Sequence, residues 1–263
     1  MRRKGYFPGF LFAFLVLAAL GFTQTADEHI QKGDEYYAQF NDQQALDEYL
    51  AAVKVDPANY QALWKLCRAH IDVSDLIEGK GSAIEEKQKK MYSDAESYAK
   101  KAVAANPNDT WGHFYFSAAM GKRALLLGKK DQIAMSKVIK TEIERAIELD
   151  ATNDLAYHAR GRWHRRMAEI GGAKRFFGSI VYGSIPKGSF EESETNLKKA
   201  VELKPDYINH HLELGITYMS LDKYDLAAQE FQKCLDLPET SSKDKTLKNQ
   251  AKEELAKANK KKK

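Results

Sequence analysis

Between residues 26 and 240 the apolar positions recur at helical spacing and in paired stretches, a pattern that predicts antiparallel helix pairs rather than strands. Counting Ala26 as position 1, Gly33, Tyr36, Ala45, Tyr49, Ala52 and Pro57 fall at positions 8, 11, 20, 24, 27 and 32. From Ile208 the same count puts Leu214, Gly215, Tyr218, Ala227, Phe231 and Cys234 at positions 7, 8, 11, 20, 24 and 27. Small residues at 8, 20 and 27 let two helices approach, while large ones at 11 and 24 fill the gaps between them. Proline at 32 stops the second helix, because its ring and missing N–H cannot continue the ladder.

Three further units carry the pattern with insertions. Leu63, Leu66, Cys67 and His70 are followed by Ala95, Ala99, Ala102 and Pro107. Phe116, Ser117 and Met120 lead to Ile143, Ala146 and Ala151, and Tyr157, Gly161 and His164 lead to Leu197, Ala200 and Pro205. The helix endings AAVKVDP, KAVAANP and KAVELKP are nearly identical. From position 1 to position 32 these units span 48, 42 and 52 residues, so each holds roughly 10 to 20 extra residues relative to a 34-residue repeat. The extra residues fall between the two helices of each pair. In the second unit, IEGKGSAIEEKQKK either lengthens the helices or forms a polar loop.

The layout resembles the tetratricopeptide repeat, which implies an all-α, right-handed solenoid of about five helix pairs, here over residues 24–240. Beyond it, in 241–263, Leu247, Ala251, Leu255 and Ala258 predict one more amphipathic helix, a solvating cap followed by a Lys-rich tail.

Residues 1–23 have a different pattern. Arg2, Arg3 and Lys4 precede an apolar run from Phe7 to Phe22, followed by Thr23, Gln24 and Thr25. This is the order of a secretory signal peptide. The run is short for an uncleaved membrane anchor, which is the alternative. Either way the rest of the chain is expected to be exported, periplasmic or secreted, or held at a membrane by this segment.

Composition narrows the picture further. The chain has 263 residues, 43% of them hydrophobic and 30% charged, and a mean hydropathy of −0.56, which excludes a polytopic membrane protein. The net charge of +4 resides at the ends: the first four residues carry +3 and residues 243–263 carry +6, leaving the body at −5. A nucleic-acid-binding body is therefore not indicated. Two cysteines, Cys67 and Cys234, make neither a disulfide framework nor a zinc site. Both sit at small packing positions and are expected in the core.

Candidate chemistry lies on the first helix of each pair, whose positions 5, 9 and 12 form one stripe facing the concave groove. That stripe supplies the candidate ligand-binding residues Trp64, Arg68, Phe114, His158, Arg162, Arg165, Leu212 and Ile216. Aromatic and aliphatic walls beside a histidine and arginines suit a ligand with an apolar body and an anionic end. The competing expectations are that the insertions or the C-terminal helix cover part of the stripe, and that the arginines of HARGRWHRRM pair with glutamates. His158 and His164 do not share a helix face, and His210 and His211 diverge, so no metal site is expected. Ile30 and Asp34 stand where a peptide-carboxylate clamp would have lysine and asparagine. No G-x-S-x-G, P-loop, H-E-x-x-H or dinucleotide motif is present, so no catalytic residue, cofactor or metal is assigned.

A narrower likeness covers residues 156–207. HARGRW at 158–163, the apolar connector, YGSIPKGSFEES at 182–193 and KAVELKPDY at 199–207 are similar to the regulator of microtubule dynamics protein family. The resemblance implies a helical scaffold without catalysis. Some members are membrane-anchored organelle-contact proteins, and one carries a lipid-transferring repeat domain. The export signal directly before the first repeat departs from that family. The connector, residues 171–190, interleaves Phe176, Phe177, Ile180, Val181, Tyr182 and Ile185 with glycines. Being apolar, it is expected to be buried against the fourth unit, as a lid or as core.

These readings lead to one expectation for function. The chain is a non-enzymatic, exported scaffold that binds a protein or peptide partner in its groove. The alternative is binding or transfer of an anionic lipid or amphiphile in the same groove.

Overall fold

The computed structural model describes residues 24–262, so the signal-peptide or anchor assignment falls outside the described residues. Among them are twelve helices and no strand: α1 Ala26–Ala38, α2 Asp42–Val55, α3 Tyr60–Asp75, α4 Ser82–Ala105, α5 Thr110–Ala124, α6 Lys129–Leu149, α7 Asp154–Ala168, α8 Gly172–Tyr182, α9 Phe190–Leu203, α10 Ile208–Ser220, α11 Tyr224–Asp236 and α12 Asp244–Lys261. Five antiparallel pairs, α1/α2, α3/α4, α5/α6, α7/α9 and α10/α11, stack in chain order as a tetratricopeptide solenoid.

Local chemistry sets the boundaries. Thr25 begins α1 with a reciprocal capping box, its hydroxyl accepting from the Glu28 N–H while the Glu28 carboxylate accepts from the Thr25 N–H. Asn59, Asp109, Asn153 and Ser189 cap α3, α5, α7 and α9 with side-chain oxygens. Pro57, Pro107 and Pro205 follow the ends of α2, α4 and α9.

The close approach at position 8 is visible in the glycines. A Cβ on Gly33 would stand 2.4 Å from the Tyr49 ring, one on Gly215 2.5 Å from the Phe231 ring, and one on Gly161 2.6 Å from Leu197. Tyr49, Phe231 and Leu197 are fully buried, as are the alanines Ala45, Ala52, Ala200 and Ala227. Cys67 and Cys234 are buried core residues, each with its sulfur directed at a carbonyl oxygen, of Tyr115 and Ile208 respectively.

The insertions are absorbed in two ways. In the second and third units the outer helix lengthens, α4 to 24 residues and α6 to 21, so IEGKGSAIEEKQKK mostly extends a helix. In the fourth unit an additional helix, α8, stands between α7 and α9. The expectation that this connector is buried is overturned. None of α8 is buried, and Phe176, Phe177, Ile180 and Val181 are 66–71% exposed. Of the connector's apolar residues, Ile185 alone turns inward.

The first helices α1, α3, α5, α7 and α10 touch one another in succession and make the inner layer. Helix α12 packs on both α11 and α10, as the first helix of a sixth pair would, and buries Ala251 and Ala258 there.

Candidate functional site

The stripe at positions 5, 9 and 12 lies along the inner layer, and it is packed rather than open. Trp64, Phe114, His158, Arg165 and Leu212 are buried, while Arg68, Arg162 and Ile216 are half-buried. At the N-terminal end the aromatic rings stack across repeats: Trp64 lies 5.5 Å from Trp111 and 5.4 Å from Tyr115, ring centre to ring centre. The Arg68 guanidinium sits 3.6 Å over the Tyr37 ring and donates to the Tyr49 hydroxyl at 2.9 Å. A guanidinium sandwiched among rings gains from their negative faces as well as from packing. Asp34, at the clamp position, instead accepts from Lys65 and from the Tyr49 hydroxyl.

At the other end of the layer two arginines share one carboxylate. Arg162 lies 2.9 Å from one oxygen of Glu213, and Arg165 bonds the other. The anionic partner that the stripe was expected to hold is thus supplied by α10 of the same chain. His158 and His210, which the sequence pattern does not connect, meet with their Nδ1 atoms 2.9 Å from each other. The His210 Nε2 is 2.8 Å from the Asp154 carboxylate. Burial pushes both imidazoles below their usual range, and for His158 the neighbouring His210 adds to the effect. His211 diverges to Glu230 and to the Pro205 carbonyl oxygen. Among the described residues no group of three or more His, Cys, Asp or Glu side chains could hold a metal.

Sequence reasoning missed the centre of the inner face. Asp72 and Asp75, at positions 13 and 16 of the second unit, face Lys122 from α5 and Lys243 from the α11–α12 connection. Lys243 Nζ is 2.6 Å from Asp72 and 3.6 Å from Asp75, and Lys122 is 2.6 Å from Asp75. Tyr92 donates to Asp75 at 2.7 Å. Burial opposes charge throughout the cluster; the ion pairing prevails at Asp75 and Lys243, whereas burial holds the Lys122 ammonium below its usual range despite Asp75. Lys122 and Lys243 hold the Asp75 carboxyl below its usual range, and the two aspartates hold the Lys243 ammonium well above its own. The segment Thr240–Lys243 lies against Tyr37, Phe40, Asp42 and Asp72, leaving a cavity of about 20 Å³ beside it. This segment precedes α12 and lies beside Asp72 rather than on the stripe residues themselves.

A second missed regularity is structural. His29, His113 and His211 pair with Glu48, Glu142 and Glu230 from the outer helix of the same unit, at 2.6 to 2.7 Å. The signal was present in the sequence: in the first and last units the histidine is at position 4 and the glutamate at position 23.

Comparison with known proteins agrees with this architecture. The chain is 28% identical over 225 residues to Regulator of microtubule dynamics protein 1 of Bos taurus, covering 85% of this chain and 69% of that protein. It is 24% identical to the Caenorhabditis elegans protein 1, covering 69% and 78% of the two chains. It is 23% identical to the Mus musculus protein 2, of whose length the match spans 46%. Among solved structures, a thermophilic tetratricopeptide-repeat protein of Thermus thermophilus superimposes with a TM-score of 0.64 at 18% identity, over 88% of this chain and 99% of that one. The likeness to that structure bears on the fold alone. The family model described as Regulator of microtubule dynamics protein 1-3 matches residues 29–259, and the chain belongs to that family.

Proposed function

We propose that this chain is a non-enzymatic, exported scaffold that binds a protein or peptide partner on its inner face, at Asp72 and Asp75 and the half-buried stripe residues Arg68, Arg162 and Ile216, with the buried Trp64, Phe114, His158, Arg165 and Leu212 forming the floor beneath them. The tetratricopeptide fold and the family support a scaffold role. The observation that carries the reading is the segment Thr240–Lys243. This irregular stretch of the chain's own backbone rests on the inner face, with its lysine held between Asp72 and Asp75. An inner face that holds one chain segment through a buried ammonium is suited to another segment of the same chemistry. A partner with a lysine or arginine on an extended stretch competes for Asp72 and Asp75.

Affinity capture with three forms of the full chain tests this. Lys243→Ala, which removes the internal competitor, should retain more of a partner than wild type does. Asp72→Asn combined with Asp75→Asn should retain less. Equal retention by all three would place the partner elsewhere. Native mass spectrometry of the same samples distinguishes the amphiphile reading, for which a small molecule rather than a protein would accompany the chain.

A further inference from the structure

We propose that α8 docks onto the surface of a membrane carrying anionic lipid headgroups. The inference stands apart from the inner-face reading, because α8 contributes nothing to that face. Its starting point is the orientation of the helix. Ala173, Phe176, Phe177, Ile180 and Val181 follow the i, i+3, i+4, i+7, i+8 spacing of a single apolar face. In a soluble domain that face turns to the core. Here it is the exposed one.

The opposite, polar face makes the attachment to the protein. Arg175 donates to the carbonyl oxygens of Pro186 and Met167. Gly178 lies over Ile185 so closely that a Cβ would stand 2.8 Å from the Ile185 Cδ1. The inverted orientation is thus fixed by specific contacts.

The surroundings select a lipid surface. From residue 170 to residue 190 there is no aspartate or glutamate, while Lys174 is exposed on α8 next to its apolar face and Lys187 is exposed in the segment that follows the helix. An exposed apolar face in a segment whose charges are all positive complements an anionic interface, where phenylalanine rings sit among the acyl chains and lysines reach the headgroups. Eleven residues make a helix of about 16 Å, which lies in the interface and does not cross a hydrocarbon core of about 30 Å. No helix of the described residues is long and apolar enough to cross.

The test uses the full chain with Ile180→Cys carrying an environment-sensitive fluorophore. The native Cys67 and Cys234 are buried, so the label goes to α8 and reports on it locally, whatever residues 1–23 do. With phosphatidylcholine vesicles containing phosphatidylserine, emission should shift to the blue and lipid-borne nitroxide should quench it. The quenched fraction should be severalfold larger than with phosphatidylcholine alone. A label at Lys54→Cys should show neither effect. Lys174→Glu combined with Lys187→Glu should abolish the difference between the two lipid compositions. Equal quenching by aqueous iodide with and without vesicles would overturn the proposal. So would a blue shift that grows with protein concentration and is insensitive to lipid-borne quencher, which would mean that a second copy covers α8.

Discussion

The Lys243 ammonium lies 2.6 Å from the Asp72 carboxylate, 171 residues earlier in the chain. One ion pair therefore ties the connection before α12 to the inner helix of the second repeat. In a repeat array each unit normally meets only its neighbours. Here the pair, with Asp75 beside it, joins the segment after the fifth unit to the second unit across the inner face. It couples the C-terminal segment to the surface on which a partner is proposed to bind.

Packing at position 8 and open space at position 12 give two glycine substitutions with opposite signs. Gly215→Ala puts a methyl group 2.5 Å from the Phe231 ring inside a filled core and should cost about 1–3 kcal/mol. Gly121, also helical but at position 12 of the third unit, would place a Cβ in open space, so Gly121→Ala should stabilise by about 0.4–1 kcal/mol. Urea unfolding of the two variants reads both signs. Destabilisation of equal size in both would contradict the register.

Acid should weaken the fold before the carboxylates titrate. His158 and His210 are held below the ordinary imidazole value of 6.5 in the folded chain, chiefly by burial. The unfolded chain therefore binds more protons as the pH drops below 6.5, and the stability contributed by the neutral imidazoles is fully present above 6.5 and lost as pH falls towards their folded values. Each such group steepens the loss by at most about 1.4 kcal/mol per pH unit. Unfolding free energy measured from pH 7.5 to 5 should decline, with a shallower slope in His158→Asn. A flat profile in the wild type would contradict the burial of the pair.

The two thiols should be silent in the native protein. Burial pushes the Cys67 thiol well above its usual range and the Cys234 thiol up to about 12, and the thiolate is the reactive form. A thiol reagent at pH 8 should modify neither residue in the folded chain and both after denaturation. Rapid native labelling of either would place it outside the core.

Much of the fold was legible because its cause is local. The small residues at 8, 20 and 27 and the prolines at 32 act within one helix pair, and the spacing of Gly215 to Phe231 is the contact itself. The inner face was less legible because its chemistry joins residues from distant units. Nothing in the sequence around Asp72 points to Lys243, and nothing around His158 points to His210. The orientation of α8 was misjudged for a related reason. Its apolar spacing was readable, but the side that meets the protein is set by Arg175 and Gly178, through contacts to Pro186, Met167 and Ile185.

The most direct measurement is a double-mutant cycle on Lys243→Ala and Asp72→Ala, read by equilibrium unfolding of the full chain. A hydrogen-bonded ion pair that closes the inner face should give a coupling of about 1.5–3 kcal/mol, with each single variant destabilised and the double variant less so than their sum. Strictly additive effects would mean that Lys243 and Asp72 do not hold each other, and that the C-terminal segment does not close the inner face.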